Sequence, residues 1–424
     1  MDWTAWTEVI ARTASLIGVS ACLVWLFRRI RVPGGRPAAA VAGGLVAGVL
    51  LGPGVLGPLS PPLYERVVIG AHAEREAVGA LMDRQAEARA ALARSGVSDI
   101  AVDELENRHA EAIALAEGTL ADAEQMRARA AAALSLGGFA FAVLGAGLLG
   151  RRPLPGGRDE DDPGAIVGLV GGVMGGLVAG LATAAIAHRL LGMDLQPAIG
   201  LGGAIGTGGL LAPIATRWIP RCGRSRLAAG LTLGMVVVGF AGVGWGAGLD
   251  GWGWWAPIGL AWFAGLLIPA ALGAGGAPRS AVRAVRGWSL WIAAPWVIAE
   301  VAVRVEPTMI FHTGWVFLVL LIPLVGCGDG HGAGMWLAMK THGRGLAQAE
   351  PALTSFEALM RSGPVSSVAM LLALMGAGVI DTSTGPGAAA AVLVLINAAS
   401  LELQLDWARV FARRLDGTMR GSET

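Results

Sequence analysis

Long apolar stretches alternate with short polar connections along most of the chain. Each stretch has the length of a membrane-crossing helix, about 20 residues. The connections contain glycine, proline or charged residues that end a helix. The pattern predicts an all-α, polytopic membrane protein with about eleven spans. They lie at about residues 9–31, 37–57, 133–150, 164–190, 196–216, 227–248, 253–274, 287–304, 311–338, 352–379 and 386–404.

A polar segment, residues 61–132, separates spans two and three and predicts an extramembrane helical hairpin. Apolar and small residues recur there in steps of three and four, which is typical of a coiled-coil seam. A break at residues 95–98 precedes Asp103 and Glu106, which have capping-box spacing. The predicted seam comprises Val67, Ala71, Glu74, Val78, Leu81, Gln85, Ala88 and Leu92, and then Val102, Leu105, His109, Ala112, Ala116, Leu120 and Ala123.

Two interpretations of the hairpin stay open. It packs only on itself, or residues 66–131 form an arm that docks a protein partner or a second copy of the chain. Alanine is frequent along the seam and permits close pairing, but it buries little apolar surface. A partner would supply the missing burial.

Composition supports the membrane prediction. Hydrophobic residues make up 54% of the 424 residues and charged residues only 15%, too few to cover a soluble protein. The net charge of +1 does not indicate a nucleic-acid partner. The cysteines Cys22, Cys222 and Cys327 lie far apart, so neither a disulfide framework nor a metal site is predicted. No cofactor is indicated.

Basic residues predict the orientation of the spans. The first span ends at Arg28, Arg29 and Arg31, and every second connection after it also carries arginine or Lys340. Basic connections stay in the cytoplasm, so we expect the N-terminus outside and the C-terminus inside a bacterial inner (plasma) membrane. The predicted regions are two spans (1–60), the hairpin (61–132), a transporter-like core (133–408) and a cytoplasmic tail (409–424).

Two spans carry glycine at every fourth residue. Span two has Gly44, Gly48 and Gly52, and span four has the same spacing from Gly168 to Gly180. Such a stripe lets a neighbouring backbone approach closely. We expect packing within the chain rather than a dimer interface.

Span five contains Gly206-Thr207-Gly208-Gly209 at its middle. Each glycine costs a helix about 1 kcal/mol relative to alanine. An unwound stretch inside a membrane frees carbonyls that bind ions or line a cavity. A broken helix and a transport site are therefore predicted here.

Several stretches resemble the cation/proton antiporter superfamily, especially its monovalent cation:proton antiporter-2 branch. The order R-R-I-R-V-P followed by G-V-L-L-G-P-G-V-L-G, between residues 28 and 57, resembles its first two helices. Thr207 with Gly208-Gly209 resembles its A-T-S-P crossover, and Ser362-Gly363-Pro364 its second broken helix. Residues 257–271 and 291–301 resemble two further helices of the family.

The resemblance implies inverted repeats with two broken helices, a homodimer, and a site between the crossovers at Thr207 and Ser362. In the family, a helix after the first crossover carries aspartates that bind cation and proton in competition. Here that helix, residues 227–248, has no acid, and Thr232 is the only polar side chain near the expected place. The family's membrane lysine is also missing from span nine.

Other ionisable residues are then the candidates for coupling. Asp329 lies near the middle of span nine, where a charge is costly unless it is paired or hydrated. Its predicted partner is Arg361, although Arg361 also has Glu357 one turn earlier. A buried pair that locks two helices is as reasonable as ion coordination. His331 lies two residues after Asp329 and is of the residue type that can titrate near neutral pH, and Glu300 lies near the outer end of span eight. For these two, hydrogen-bonded packing or solvation at the membrane interface is the favoured interpretation.

Two functions remain. The first is secondary transport, exchanging Na⁺ or K⁺ for protons, with Asp329 as the carboxylate and carbonyls near Gly208 as neutral ligands. The second is a non-transporting scaffold or sensor that binds a partner through its hairpin. An enzyme is not expected, since no nucleophile and base have a catalytic spacing outside the spans.

Overall fold

The structure is a computed structural model, and the part of the chain that it describes consists of helices and the turns between them, with no strand. That part comprises residues 3–30, 35–95, 105–124, 126–127, 177–203, 205, 287–305, 336, 367–368, 371–372, 374–375, 380–382, 384–400, 403–404, 406–407 and 410. The prediction of an all-α protein is confirmed for these residues.

The main helices are α1 (Trp3–Ile30), α2 (Gly35–Leu51), the short α3 (Leu56–Leu59) and α4 (Pro61–Tyr64), and α5 (His72–Ser95). Residues 105–124 form α6, and Leu177–Arg189 form α7. They are followed by α8 (Leu195–Gly203), α9 (Ala294–Ala302) and α10 (Gly385–Ala399). A π-helical turn, Glu65–Ile69, precedes α5, and another, Ser289–Ala293, leads into α9.

Two described helical stretches, Trp6–Ile30 and Ala38–Leu59, have the length and hydropathy needed to cross a membrane. They coincide with predicted spans one and two. The apolar helices Leu177–Arg189, Leu290–Ala302 and Gly385–Ala399 coincide with parts of spans four, eight and eleven but are shorter. Spans three, six and seven, at residues 133–150, 227–248 and 253–274, lie outside the described residues.

Helix α9 is the centre of the described core. All nine of its residues are buried. It packs against α1, α2 and α10. On one side Val297, Ile298 and Val301 join a large apolar cluster that includes α8 and α10, and on the other Trp296 and Ala299 join Leu16 and Ala47. A helix buried on all sides is consistent with its almost wholly apolar sequence.

The contacts between α1 and α9 fix their relative direction. Arg12, near the start of α1, bonds Glu300, whereas Arg28, near the end of α1, stacks over Trp291 with its guanidinium carbon 4.2 Å from the ring centroid. The later residue of α1 thus contacts the earlier residue of the other segment, so α1 and α9 run antiparallel. The predicted path of spans one and eight requires the same relation.

Glycines let α2 approach α9 at backbone distance. A Cβ atom added at Gly44 would lie 2.5 Å from the carbonyl oxygen of Pro295, and one at Gly48 would lie 2.8 Å from that of Ala299. Both positions therefore need glycine, and the prediction of packing within the chain is confirmed for these two. In the second stripe, residues 168–176 lie outside the described part, while Gly180 packs closely against Gly202 of α8.

Helices α5 and α6 form an antiparallel hairpin. Ion pairs join Arg75 to Glu124 at its base and Arg89 to Glu106 near its tip, at 2.6 and 2.8 Å. The less exposed residues of α5 follow the predicted seam from Ala71 to Leu92. In α6 the seam differs at one position: Ile113 is half-buried, whereas Ala112 is exposed. Val102 lies outside the described residues.

Candidate functional site

Glu300 is the one predicted site residue that lies in the described part of the chain. Asp329, Arg361, Thr207, Gly208, Ser362, His331 and Thr232 lie outside it. The proposed pairing of Asp329 with Arg361, and the two crossovers, therefore stay predictions.

The Glu300 carboxylate is held by two arginines. Arg12 Nη2 and Arg304 Nη2 each donate a hydrogen bond of 2.7 Å to the same atom, Glu300 Oε1. Glu300 is only 4% exposed, and it lies near the end of a helix whose other residues are all apolar. Buried charges in proteins are normally paired in this way, because an unpaired one is far too costly. We call Arg12, Glu300 and Arg304 the ion triad.

Each member of the ion triad has a structural reason for its position. Arg304 follows Glu300 by four residues, so the two lie on the same face at the end of α9. Arg12 comes from α1, whose next turn places Leu16 in the cluster that contains Trp296. Tyr64, on α4, lies close enough to Arg12 to interact with it electrostatically. The triad thus joins α1 to α9 and its C-terminal end.

The charge of the triad limits its chemistry. Two guanidinium groups and one carboxylate leave a formal excess of one positive charge. Two further buried donors, Arg12 Nε and Trp296 Nε1, make no hydrogen bond in the described structure. A monovalent cation would have to displace an arginine and enter a region already rich in positive charge and N–H donors. The arrangement therefore suits a fixed link between helices, as the sequence favoured, and not a cation ligand.

A second charge cluster fixes the hairpin to α1. Arg127, three residues after the end of α6, is 8% exposed and donates through Nε to Glu8 Oε2 of α1. Its Nη2 donates to Glu74 Oε2 of α5 at 3.3 Å. The backbone N–H of Ala71 donates to the same oxygen of Glu8, at 3.2 Å. We call Glu8, Glu74 and Arg127 the hairpin anchor.

The backbone at the anchor is shaped to make these contacts. Gly70 and Ala71 have φ of +73° and +57°, which turns the chain sharply into α5. Ala71 is the one non-glycine residue with positive φ in the described part of the chain. This conformation costs an alanine of order 1 kcal/mol. The hydrogen bond to Glu8 and the complete burial of the Ala71 side chain offset that cost.

The two clusters lie on the same side of α1. Glu8, in the hairpin anchor, and Arg12, in the ion triad, are four residues apart, one turn of a helix. A sequence of charged contacts therefore runs from the hairpin through α1 into the central helix. A displacement of the first turns of α1 would act on both clusters.

A third polar cluster lies at the C-terminal end of α10. Gln404 Nε2 donates to Asn397 Oδ1 at 3.0 Å and to Ser400 Oγ at 2.9 Å. Asn397 and Gln404 are buried, so these bonds compensate their loss of water. The cluster contains no ionisable group, and its role is to join the chain after α10 to that helix.

Sequence reasoning missed Arg12, Arg304, Glu8 and Arg127. The signals were present: Arg12 interrupts the first predicted span, Glu8 directly precedes that span, and Arg304 follows Glu300 at helical spacing. Which of these charges pair could not be predicted, because the partners are 288 and 119 positions apart. Among the described residues, no group of three or more histidine, cysteine, aspartate or glutamate side chains could hold a metal ion.

Comparisons with known proteins do not extend this description. No family model matches the chain, and no curated protein or solved structure is similar to it.

Proposed function

We propose that the chain is a secondary transporter of the cation/proton antiporter type, exchanging Na⁺ or K⁺ for protons across a bacterial inner membrane. One observation supports it most: α1, α2 and α9 form a tightly fixed unit. Gly44 and Gly48 bring α2 against the backbone of α9. The ion triad holds α1 to the same helix.

Such a unit is what alternating access requires on one side of the transport site. In secondary transporters one rigid bundle rocks or slides against another, around a site formed by broken helices. In our proposal α1, α2 and α9 belong to the static bundle, and Glu300 is a structural link within it. Asp329, with carbonyls near Thr207 and Gly208 and the crossover at Ser362, carries the exchange. The order of the antiporter-like motifs supports the same assignment.

The test is proton flux in proteoliposomes under an imposed pH gradient, with Na⁺ and K⁺ added in turn. Wild type should give cation-dependent flux, and Asp329→Asn should abolish it while remaining folded. Asp250→Asn makes the same chemical change in a predicted connection and should retain flux. Equal flux in wild type and Asp329→Asn would exclude the proposed role of Asp329. No flux in wild type would count against transport itself.

A second candidate is a membrane scaffold or sensor, and the hairpin anchor favours it. A hairpin that only filled space would not need a buried arginine to fix it to α1. Fixing gives the arm a defined direction for a partner or a second copy. Deleting residues 66–131, with Glu8→Gln so that no carboxylate is left unpaired, should then release a co-purifying partner. An unchanged complex would count against this function.

A further inference from the structure

The segment between α2 and the hairpin, residues 56–71, turns the chain at the end of a candidate span. It consists of α3, α4 and the π-helical turn Glu65–Ile69, and we call it the elbow. Prolines at 58, 61 and 62 interrupt its helical course, since proline lacks the N–H that a continuous helix needs. The elbow is thus a series of short helical pieces with two distinct faces.

The inner face packs on the core. Val68 contacts the cluster that contains Leu16 and Trp296, and half-buried Tyr64 interacts with Arg12. The far end of the elbow is tied down by the hydrogen bond from Ala71 to Glu8. These contacts fix the elbow to the outer ends of α1 and α9, so its other face has a defined direction.

The outer face is apolar and uncovered. Leu59 is 79% exposed, Leu63 is 49% exposed and Ile69 is 37% exposed. Leu59 is also the last residue of the candidate span Ala38–Leu59, so the exposed leucines continue the apolar surface of that span. The charged residues Glu65 and Arg66 follow immediately and are also exposed.

We propose that the elbow lies in the interfacial zone of the outer leaflet, with Leu59 and Leu63 among the lipid chains. Glu65 and Arg66 then reach the headgroups, as short amphipathic segments do at a bilayer surface. The proposal rests on the membrane-spanning arrangement of the proposed function but not on transport. Continuity with the candidate span selects lipid as the occupant over a protein partner.

The consequence concerns the hairpin. An elbow embedded in lipid starts α5 at the bilayer surface, and the hairpin anchor fixes its direction there. The hairpin then has a fixed height and angle above the membrane. Both transport and scaffold functions would use that geometry, because whatever contacts the hairpin does so at a set distance from the core.

Nitroxide spin labels on single cysteines can locate the elbow. The labelled positions are Leu59→Cys, Leu63→Cys, Gly18→Cys and Glu76→Cys, in full-length protein with Cys22, Cys222 and Cys327 replaced by serine. Gly18 lies in the candidate span Trp6–Ile30 with open space around it, and Glu76 is exposed on the hairpin. In lipid nanodiscs, oxygen reports contact with lipid chains and a water-soluble nickel chelate reports contact with water.

Labels at 59 and 63 should favour oxygen over nickel by several-fold relative to the label at 76, approaching the label at 18. If the labels at 59 and 63 were as accessible to nickel as the label at 76, while the label at 18 still contacted lipid, the proposed membrane contact of the elbow would be wrong and the membrane arrangement would stand. Exclusion of both reagents at 59 and 63 would mean that protein covers the leucines and would also overturn the proposed membrane contact of the elbow. If the label at 18 were exposed to water, both the membrane-spanning arrangement and the proposed membrane contact of the elbow would be wrong. Cation flux, measured separately, would not be affected by a failure confined to the elbow.

Discussion

Arg12 and Glu300 lie 288 positions apart in the chain, and their side chains meet at 2.7 Å. The contact joins the first helix to the buried central helix, and Arg304 completes it from one turn further on. A buried ion pair contributes little net stability when intact, but removing one partner leaves a buried charge uncompensated. Loss of either partner should therefore weaken the packing of these helices.

Glu300→Gln should destabilise the protein strongly. The change leaves two arginines facing a neutral amide, and breaking a buried pair costs roughly 3–5 kcal/mol. Thermal unfolding in nanodiscs, followed by tryptophan fluorescence, measures the loss. Glu76→Gln is the matched control, because Glu76 is 75% exposed and its change should be nearly neutral. Equal stability of the two variants would contradict a structural role for the ion triad.

Gly48→Ala should separate α2 from α9. The added methyl group would lie 2.8 Å from the carbonyl oxygen of Ala299, closer than carbon and oxygen can approach. Overpacking of this kind costs about 1–3 kcal/mol.

Gly18→Ala is the comparison for this variant. Among the described residues, no atom lies within 4 Å of the position where its Cβ would be, so the change should be neutral, or stabilising by up to about 1 kcal/mol through helix propensity. Unfolding of both variants is measured under the same conditions. If Gly48→Ala were as stable as Gly18→Ala, close packing of α2 against α9 at Gly48 would be contradicted.

Arg127→Gln should release the hairpin from α1. It removes the contacts to both Glu8 and Glu74, which are partly buried, and a charged hydrogen bond of this kind is worth about 1.5–3 kcal/mol. Amide hydrogen exchange in residues 65–75 should become faster while that of α9 stays slow.

Arg89→Gln serves as the control for the anchor. Arg89 pairs with Glu106 near the exposed tip of the hairpin, and such surface pairs contribute about 0–1 kcal/mol. Amide hydrogen exchange at residues 65–75 of the Arg89→Gln variant should match that of the wild type. If both variants exchange alike there, Arg127 does not anchor the hairpin.

Ile113→Ser should loosen the hairpin more than Ala112→Ser. Ile113 is half-buried at a seam position, and replacing it removes partly buried apolar surface, whereas Ala112 is exposed. We expect a difference of about 1 kcal/mol, consistent with partial burial of a large aliphatic side chain. Proteolytic cleavage rates in residues 96–104 compare the two variants. If Ala112→Ser were cleaved faster than Ile113→Ser, Ala112 would be the seam residue, as the sequence predicts, and not Ile113.

The sequence by itself determined the local features of this protein. Apolar runs predicted helices where α1, α2 and α9 lie, and the spacing of seam residues predicted the α5 side of the hairpin. Glycine at every fourth residue predicted close packing of α2. These features depend on neighbours within a turn or two of helix, so periodicity and composition are enough to find them.

Tertiary structure decided which of these features meet. In the folded protein Arg12 and Arg304 both bond one carboxylate oxygen of Glu300, and α9 is the helix that packs against Gly44 and Gly48. Tertiary structure also moved one seam position from Ala112 to Ile113, since a step of four from His109, rather than three, leaves the larger side chain half-buried. Pairing between distant segments depends on the whole packed arrangement of helices, and a one-dimensional pattern of polar and apolar residues does not contain it.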